Sequence, residues 1–205
     1  MIHQNVKDAY YFLLYPVSKV LRPLYHLRYK LAGSKCARTQ IGSGMHYLQD
    51  FVNIDANFQR RIDCLLDVRA GLPFPDNSIE FIYSCHMMEH IHIDEAINLL
   101  RECKRVLTAT GYMRLTLPDF EYALRIADGQ VASDFPRRFN SRHGQAINFL
   151  FCDGQHKFAF SQEVIQELAA ELGFSEVVGA GNEDVNIANL QDIEPCGSFS
   201  VNIFK

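Results

Sequence analysis

The chain has 205 residues, enough for one domain with a sizeable core. Hydrophobic residues make up 48% of it and charged ones 21%, ordinary globular usage that argues against a disordered or fibrous chain. A formal charge of −4 excludes a simple, strongly basic nucleic-acid binder, but the charge is uneven: residues 1–38 carry +6, leaving −10 for residues 39–205.

The cysteines (Cys36, Cys64, Cys85, Cys103, Cys152, Cys196) form no Cys-x-x-Cys pair and are too sparse for a disulfide framework, so a reducing cytoplasm is the expected location. Residues 5–32 read as a helical appendage in two pieces broken near Pro16, aromatic on one side and basic on the other. Its apolar run "AYYFLLYPV" is too short to cross a bilayer and is followed at once by Lys19 and Arg22, so neither a membrane span nor a signal peptide is expected. Such a helix either covers a core or lies on an anionic membrane, which would place the protein peripherally at the inner membrane face. We set the appendage at residues 1–34 and the main domain at 35–205.

From there strands and helices alternate. "ARTQIG", "DFVNIDA", "IDCLLDV", "IEFIYS" and "YMRLTL" read as buried strands ending in turn residues or acids. Before the last of them, Ile93, Ala96, Ile97, Leu100, Cys103 and Leu107 fall at helical spacing, with Asp94 as N-cap and Gly111 as the closing residue. "SQEVIQELAAELG" predicts a helix, and "SEVVGAG" and "SFSVNIFK" the last strands. The expected fold is α/β, Rossmann-like: a mostly parallel seven-stranded sheet with helices on both faces and an antiparallel final strand. Residues 128–160 break the rhythm, being poorly periodic and rich in Arg, His and aromatics, and are expected to form a substrate lid.

Three strand tips in succession carry chemistry. The first runs into Gly42-Ser43-Gly44, which allows a tight turn and close approach to a ligand but also makes a turn in any protein. The second ends in Asp55, placed to accept hydrogen bonds from ribose hydroxyls; the third ends in Asp67, suited to an exocyclic amine. Either acid alone also reads as a turn residue or a helix cap. Farther on, His86, Glu89 and His90 spell His-x-x-Glu-His, a zinc-protease signature, but they follow a buried strand directly rather than sitting within a helix.

"IGSGMHYLQDFVNIDAN", "LLDVRAGLPFPDNSIEFIYSCHMMEHI" and "LLRECKRVLTATGYMRLTLPD" resemble the successive motifs of class I S-adenosylmethionine-dependent methyltransferases, in particular the type 11 group, over residues 38–119. The resemblance implies S-adenosylmethionine as cofactor. Ile41, Gly42, Ser43 and Gly44 would pass its methionine portion, Asp55 would hold the ribose, Asp67 and Val68 would read the adenine, and Ser84, Cys85 and His86 would face the sulfonium. Gln40 stands where many members have an acid, His46 where they have a third glycine, and "TATG" replaces the usual Lys-Pro-Gly-Gly turn. Some related ubiquinone-pathway O-methyltransferases hold a divalent ion in the Glu-His segment; the corresponding first acid is His86 here, and no metal ligand is assigned.

Methyl transfer needs an aligned nucleophile and, for a hydroxyl acceptor, a base that titrates near neutrality. His86, His143 and His156 are the candidates. Arg137, Arg138, Arg142 and Lys157 suit an anionic small-molecule or glycan acceptor, such as a phosphorylated or nucleotide-linked sugar, with O-methylation as the expected reaction. A non-catalytic binding or scaffold protein of the same fold is the alternative, with a metal-dependent hydrolase more remote.

Overall fold

The computed structural model describes residues 4–33, 37–58, 61–133, 138–181, 187 and 193–205. Seven strands form one sheet: β1 (Arg38–Ile41), β2 (Val52–Asp55), β3 (Cys64–Leu65), β4 (Ile79–Cys85), β5 (Leu107–Pro118), β6 (Glu176–Gly179) and β7 (Ser198–Phe204). Their order is β3-β2-β1-β4-β5-β7-β6. The first five run parallel, and β7 enters antiparallel between β5 and β6, as expected for the Rossmann-like sheet. Successive connections leave β1 in opposite directions, so the crevice of the fold opens at the carboxyl tips of β1 and β4.

Strands covered on both faces cannot alternate between apolar and polar, and β1 and β2 accordingly bury almost every residue. Thr39 closes the seam by donating its hydroxyl proton to the Val52 carbonyl. Helix α2 (Ile93–Val106) lays Ala96, Leu99, Leu100, Cys103 and Val106 against the sheet, one stripe at helical period. Its cap is His92 rather than Asp94; the Glu95 carboxylate accepts the His92 N–H at 2.9 Å. Gly111 does not close this helix. The chain passes from α2 straight into β5, and Gly111 lies inside that strand, where a Cβ would come within 3.0 Å of the Ile79 and Glu80 carbonyls beside a shift in β4–β5 register.

Helix α1 (Gln4–Ala32) is continuous where a break near Pro16 was expected. Pro16 and Pro23 both sit on its exposed side, so the carbonyls they leave without helical partners belong to outward-facing Phe12 and Lys19. The inner side is fastened to the sheet. Asp67 N–H donates to Ser18 Oγ, Arg22 donates to the Leu72 carbonyl and to Glu102, and Tyr29 lies in the main core beside Phe74.

Helices α3 (Phe120–Asp128) and α4 (Arg142–Phe151) pack through Ala123, Ile126, Ala146 and Leu150. Residues 142–151, read from sequence as part of an irregular segment, are therefore helical, started by Ser141, whose hydroxyl accepts the Gly144 N–H. Arg137 lies outside the described residues. Helix α5 (Gln162–Glu171) follows and leads into β6. Fully buried Arg114 on β5 meets Glu194 through two hydrogen bonds of 2.8 Å, tying the segment before β7 to the sheet.

Candidate active site

A cleft of about 570 Å³ opens at these strand tips, and Gly42, Gly44, Asp55, Asp67, Val68 and His86 all line it. Gly42 adopts φ +70°, and a Cβ there would fall 2.3 Å from Met87 Cγ, so only glycine lets the β1 turn pass beneath Met87. The turn is tied to β2, because the Gly42 and Ser43 N–H groups both donate to the Ile54 carbonyl. Asp55 accepts the Gly44 N–H at 2.7 Å on one carboxylate oxygen and the Asn57 N–H at 2.6 Å on the other. Each oxygen keeps acceptor capacity.

Asp67 is more heavily engaged than its strand-tip position suggests. Arg69 grips the carboxylate with Nε and Nη2, at 2.9 Å and 2.6 Å for the closest contacts, and its Nη1 reaches Glu95 at 3.3 Å. Helix α1 supplies Tyr11 and Phe12 to the wall. Nothing local in the sequence marks these two, whereas Arg69 could have been noticed as the cation two residues after Asp67.

Ile41, Ser43, Ser84 and Cys85 stand just behind the lining. Ile41, Ser43 and Ser84 are buried, and the Ser43 and Ser84 hydroxyls have no hydrogen-bond partner among the described residues. Burial pushes the Cys85 thiol up to about 12, and it meets the Ile193 carbonyl at 3.5 Å.

The far end of the cleft holds the histidines. His86 has φ +49°, an uncommon conformation for a non-glycine residue, and begins the turn that presents Glu89 and His90. That turn is three residues of 3₁₀ helix, not the regular helix a zinc protease needs. His86 Nε2 lies 2.7 Å from Ser198 Oγ, and Nδ1 lies 3.1 Å from Glu89 Oε1. The second contact is an ion-pair approach rather than a directed hydrogen bond, since neither Glu89 oxygen has a hydrogen-bond partner of good geometry among the described residues.

Glu89 is only 1% exposed. Burial pushes its carboxyl upward, but the close His86 imidazole, with His90 and His156 behind it, outweighs burial and holds it below the usual carboxylate range. From sequence, Glu89 reads as a protease carboxylate or as part of the Glu-His segment, and its place as the hub of this cluster was missed.

His156 is buried outside the cleft wall. Its Nδ1 meets the Leu150 carbonyl at 2.6 Å, Nε2 faces Glu89 at 3.9 Å, and its ring stands edge-on to that of His90. Burial holds this imidazole below its ordinary value, against the pull of Glu89. Ligating atoms of Glu89, His90 and His156 lie within 4.8 Å of one another, a donor set able to hold a divalent ion that the sequence reading did not group.

His143 does not join them; it is exposed on α4 and does not line the cleft. Of the candidate anion-binding residues Arg138, Arg142 and Lys157, Lys157 lines the cleft, fixed by its N–H to the Glu89 carbonyl at 2.7 Å. Arg138 pairs with Asp153 at 2.9 Å, and the Arg142 guanidinium covers Gly129.

Glycines, two acids and a carboxylate–imidazole pair thus converge at the switch point of a doubly wound sheet, the place where such folds bind their ligands. Residues 35–115 match the family described as a methyltransferase domain, the type 11 group. Among solved structures the chain is similar to a SAM-dependent methyltransferase from Archaeoglobus fulgidus, at 15% identity and TM-score 0.52, covering 96% of this chain and 100% of that one. It is also similar to a SAM-dependent methyltransferase from Thermotoga maritima, at 18% identity and TM-score 0.52, covering 92% of this chain and 91% of that one. A third, from Mesorhizobium loti, has 12% identity and TM-score 0.51 over 86% of this chain and 94% of that one. These likenesses concern the fold. No curated protein matches the chain in sequence. Residues 35–115 are thus matched to a methyltransferase domain, within the fold shared by these SAM-dependent methyltransferases, a match that supports S-adenosylmethionine as cofactor.

Proposed function

We propose that the chain O-methylates a small-molecule or glycan-type acceptor that is itself anionic. The observation that carries this reading is the pairing of His86, on the cleft wall, with buried Glu89 in the same cleft as Gly42, Gly44, Asp55 and Asp67. The cofactor supplies an electrophilic methyl group on a sulfonium. Gly42 and Gly44 would hold its amino-acid portion, Asp55 its ribose, and Val68 with the Asp67 backbone its adenine, because the Asp67 carboxylate is already gripped by Arg69. Ile41, Ser43, Ser84 and Cys85 would support these contacts from behind.

His86 would take the proton of the acceptor hydroxyl on Nε2, directly or through the Ser198 hydroxyl that now meets it. Glu89 would hold the ring and stabilise the imidazolium that forms, the part a carboxylate plays beside any catalytic imidazole. His156 would position Glu89, and exposed His143 has no part. Lys157 would attract the acceptor's negative charge, with residues 128–160 as the lid region. The main domain would then be residues 35–205, with residues 5–32 in peripheral contact with a membrane.

A transfer assay with labelled cofactor and a panel of phosphorylated and nucleotide-linked sugars tests this. The expected result is turnover that His86→Ala lowers by about 10²–10⁴-fold while product-cofactor affinity stays unchanged. Undiminished turnover in that variant would remove His86 as the base.

A further inference from the structure

The outer side of α1 is apolar along its length. Leu13, Val17, Val20, Leu24, Leu27 and Leu31 follow one another at alternating steps of four and three residues, and their exposure runs from 49% at Val17 to 79% at Leu31. The row spans about 27 Å of helix. A monomer in water does not ordinarily show an unbroken apolar stripe of this length. The opposite side of the same helix is fixed to the domain by Ser18, Arg22 and Tyr29, so the exposed side is not an unsatisfied core face awaiting the sheet.

Charge decides what covers the stripe. Between Ala9 and Ala32 the chain has no Asp or Glu, and exposed Lys19, Arg28 and Lys30 lie on this outer half of the helix. A second copy of the stripe would add a second set of these cations with no acid on either helix stretch to answer them, and Pro16 and Pro23 interrupt the surface that interlocking helices would need. An anionic lipid surface meets both features: the apolar residues enter the acyl boundary and the cations meet the head groups.

We propose that α1 lies along an anionic bilayer by this outer side. Phe12, 79% exposed, belongs both to the outward surface of α1 and to the cleft wall, so docking brings the cleft mouth to the lipid interface. Resting on the methyl-transfer reading, the anionic acceptor group is then one that an amphiphile presents at that interface, its head group entering the cleft as a free sugar phosphate would.

The test is sedimentation of the full chain with vesicles of phosphatidylcholine plus phosphatidylglycerol, against vesicles of phosphatidylcholine alone. Wild type should partition to the anionic vesicles. Lys19→Gln, Arg28→Gln and Lys30→Gln together should weaken this by about a hundredfold, as three interfacial cations contribute. Val20→Glu, Leu24→Glu and Leu27→Glu together should weaken it at least about tenfold. Both variants should bind S-adenosylhomocysteine like wild type, which shows that they are folded and keeps this result separate from the catalytic one. Absence of wild-type binding, equal binding to neutral vesicles, or equal binding by the variants overturns the proposal. So does a wild-type dimer in sedimentation equilibrium that the triple glutamate variant converts to monomer, since the stripe would then belong to a second copy. Failure of S-adenosylhomocysteine to bind wild type would sink the methyl-transfer reading and leave the vesicle result standing.

Discussion

Gly42→Ala tests whether the first strand tip is shaped as a cradle. The new Cβ would sit 2.3 Å from Met87 Cγ and 2.5 Å from Met87 Cβ, on a backbone with φ +70°. The left-handed conformation costs an L-residue about 1–2 kcal/mol, and forcing Met87 aside adds about 1–3 kcal/mol, for a total of about 2–5 kcal/mol. In a chain of this size that lowers Tm by about 4–20 °C. Gly44→Ala is the internal control: its φ is +52° but no atom of the described residues lies within 4 Å of the added one, so it should lose only the backbone part. Thermal unfolding by circular dichroism reads both. Adding Met87→Gly, which removes both crowded atoms, to Gly42→Ala should recover about 1–3 kcal/mol as coupling in a double-mutant cycle. A Gly42→Ala no costlier than Gly44→Ala, or a cycle with no coupling, would refute the reasoning.

Two further outcomes follow from buried charge. Glu194→Ala leaves fully buried Arg114 without its carboxylate, so it should destabilise by about 3–5 kcal/mol and lower Tm by about 6–20 °C; a loss under about 1 kcal/mol would contradict this. Acid should also destabilise the protein, in two steps. Burial depresses the His156 pKa, so its contribution is present above the ordinary histidine value, about 6.5, and is lost as pH falls from there through the folded-state value. Glu89, also depressed, contributes above the ordinary carboxylate value, about 4.3, and loses that contribution as pH falls further. His156→Asn should abolish the upper step in a plot of Tm against pH and leave the lower; an unchanged upper step assigns it to another group.

The sheet was legible because its strands are buried on both faces, so "VNID" and "IEFIYS" stand out as apolar runs closed by turn residues. The glycine turn and the two strand-tip acids were legible for the same reason, since topology places consecutive tips in one crevice. What escaped depends on tertiary placement. Gly111 reads as a helix stop in any local window, and only the close β4 carbonyls explain it inside β5. Pro16 reads as a break unless one knows that it faces away from the sheet. Glu89 was visible in its motif, but its role depends on His156, which arrives from sixty-odd residues later in the chain to share its pocket. Tyr11 and Phe12 reach the cleft only because α1 crosses it.

The central claim is that the tips of β1, β2 and β4, with the Asp67 turn, form one adenosyl pocket. Calorimetric titration of S-adenosylhomocysteine into wild type and Asp55→Asn measures it most directly, since this substitution keeps the size of Asp55 and removes its charge and one of its two acceptor oxygens. Stoichiometric binding by wild type, weakened about 10–100-fold in the variant with its circular dichroism unchanged, is the predicted result. Absence of binding by wild type, or equal affinity in the two proteins, would contradict the account.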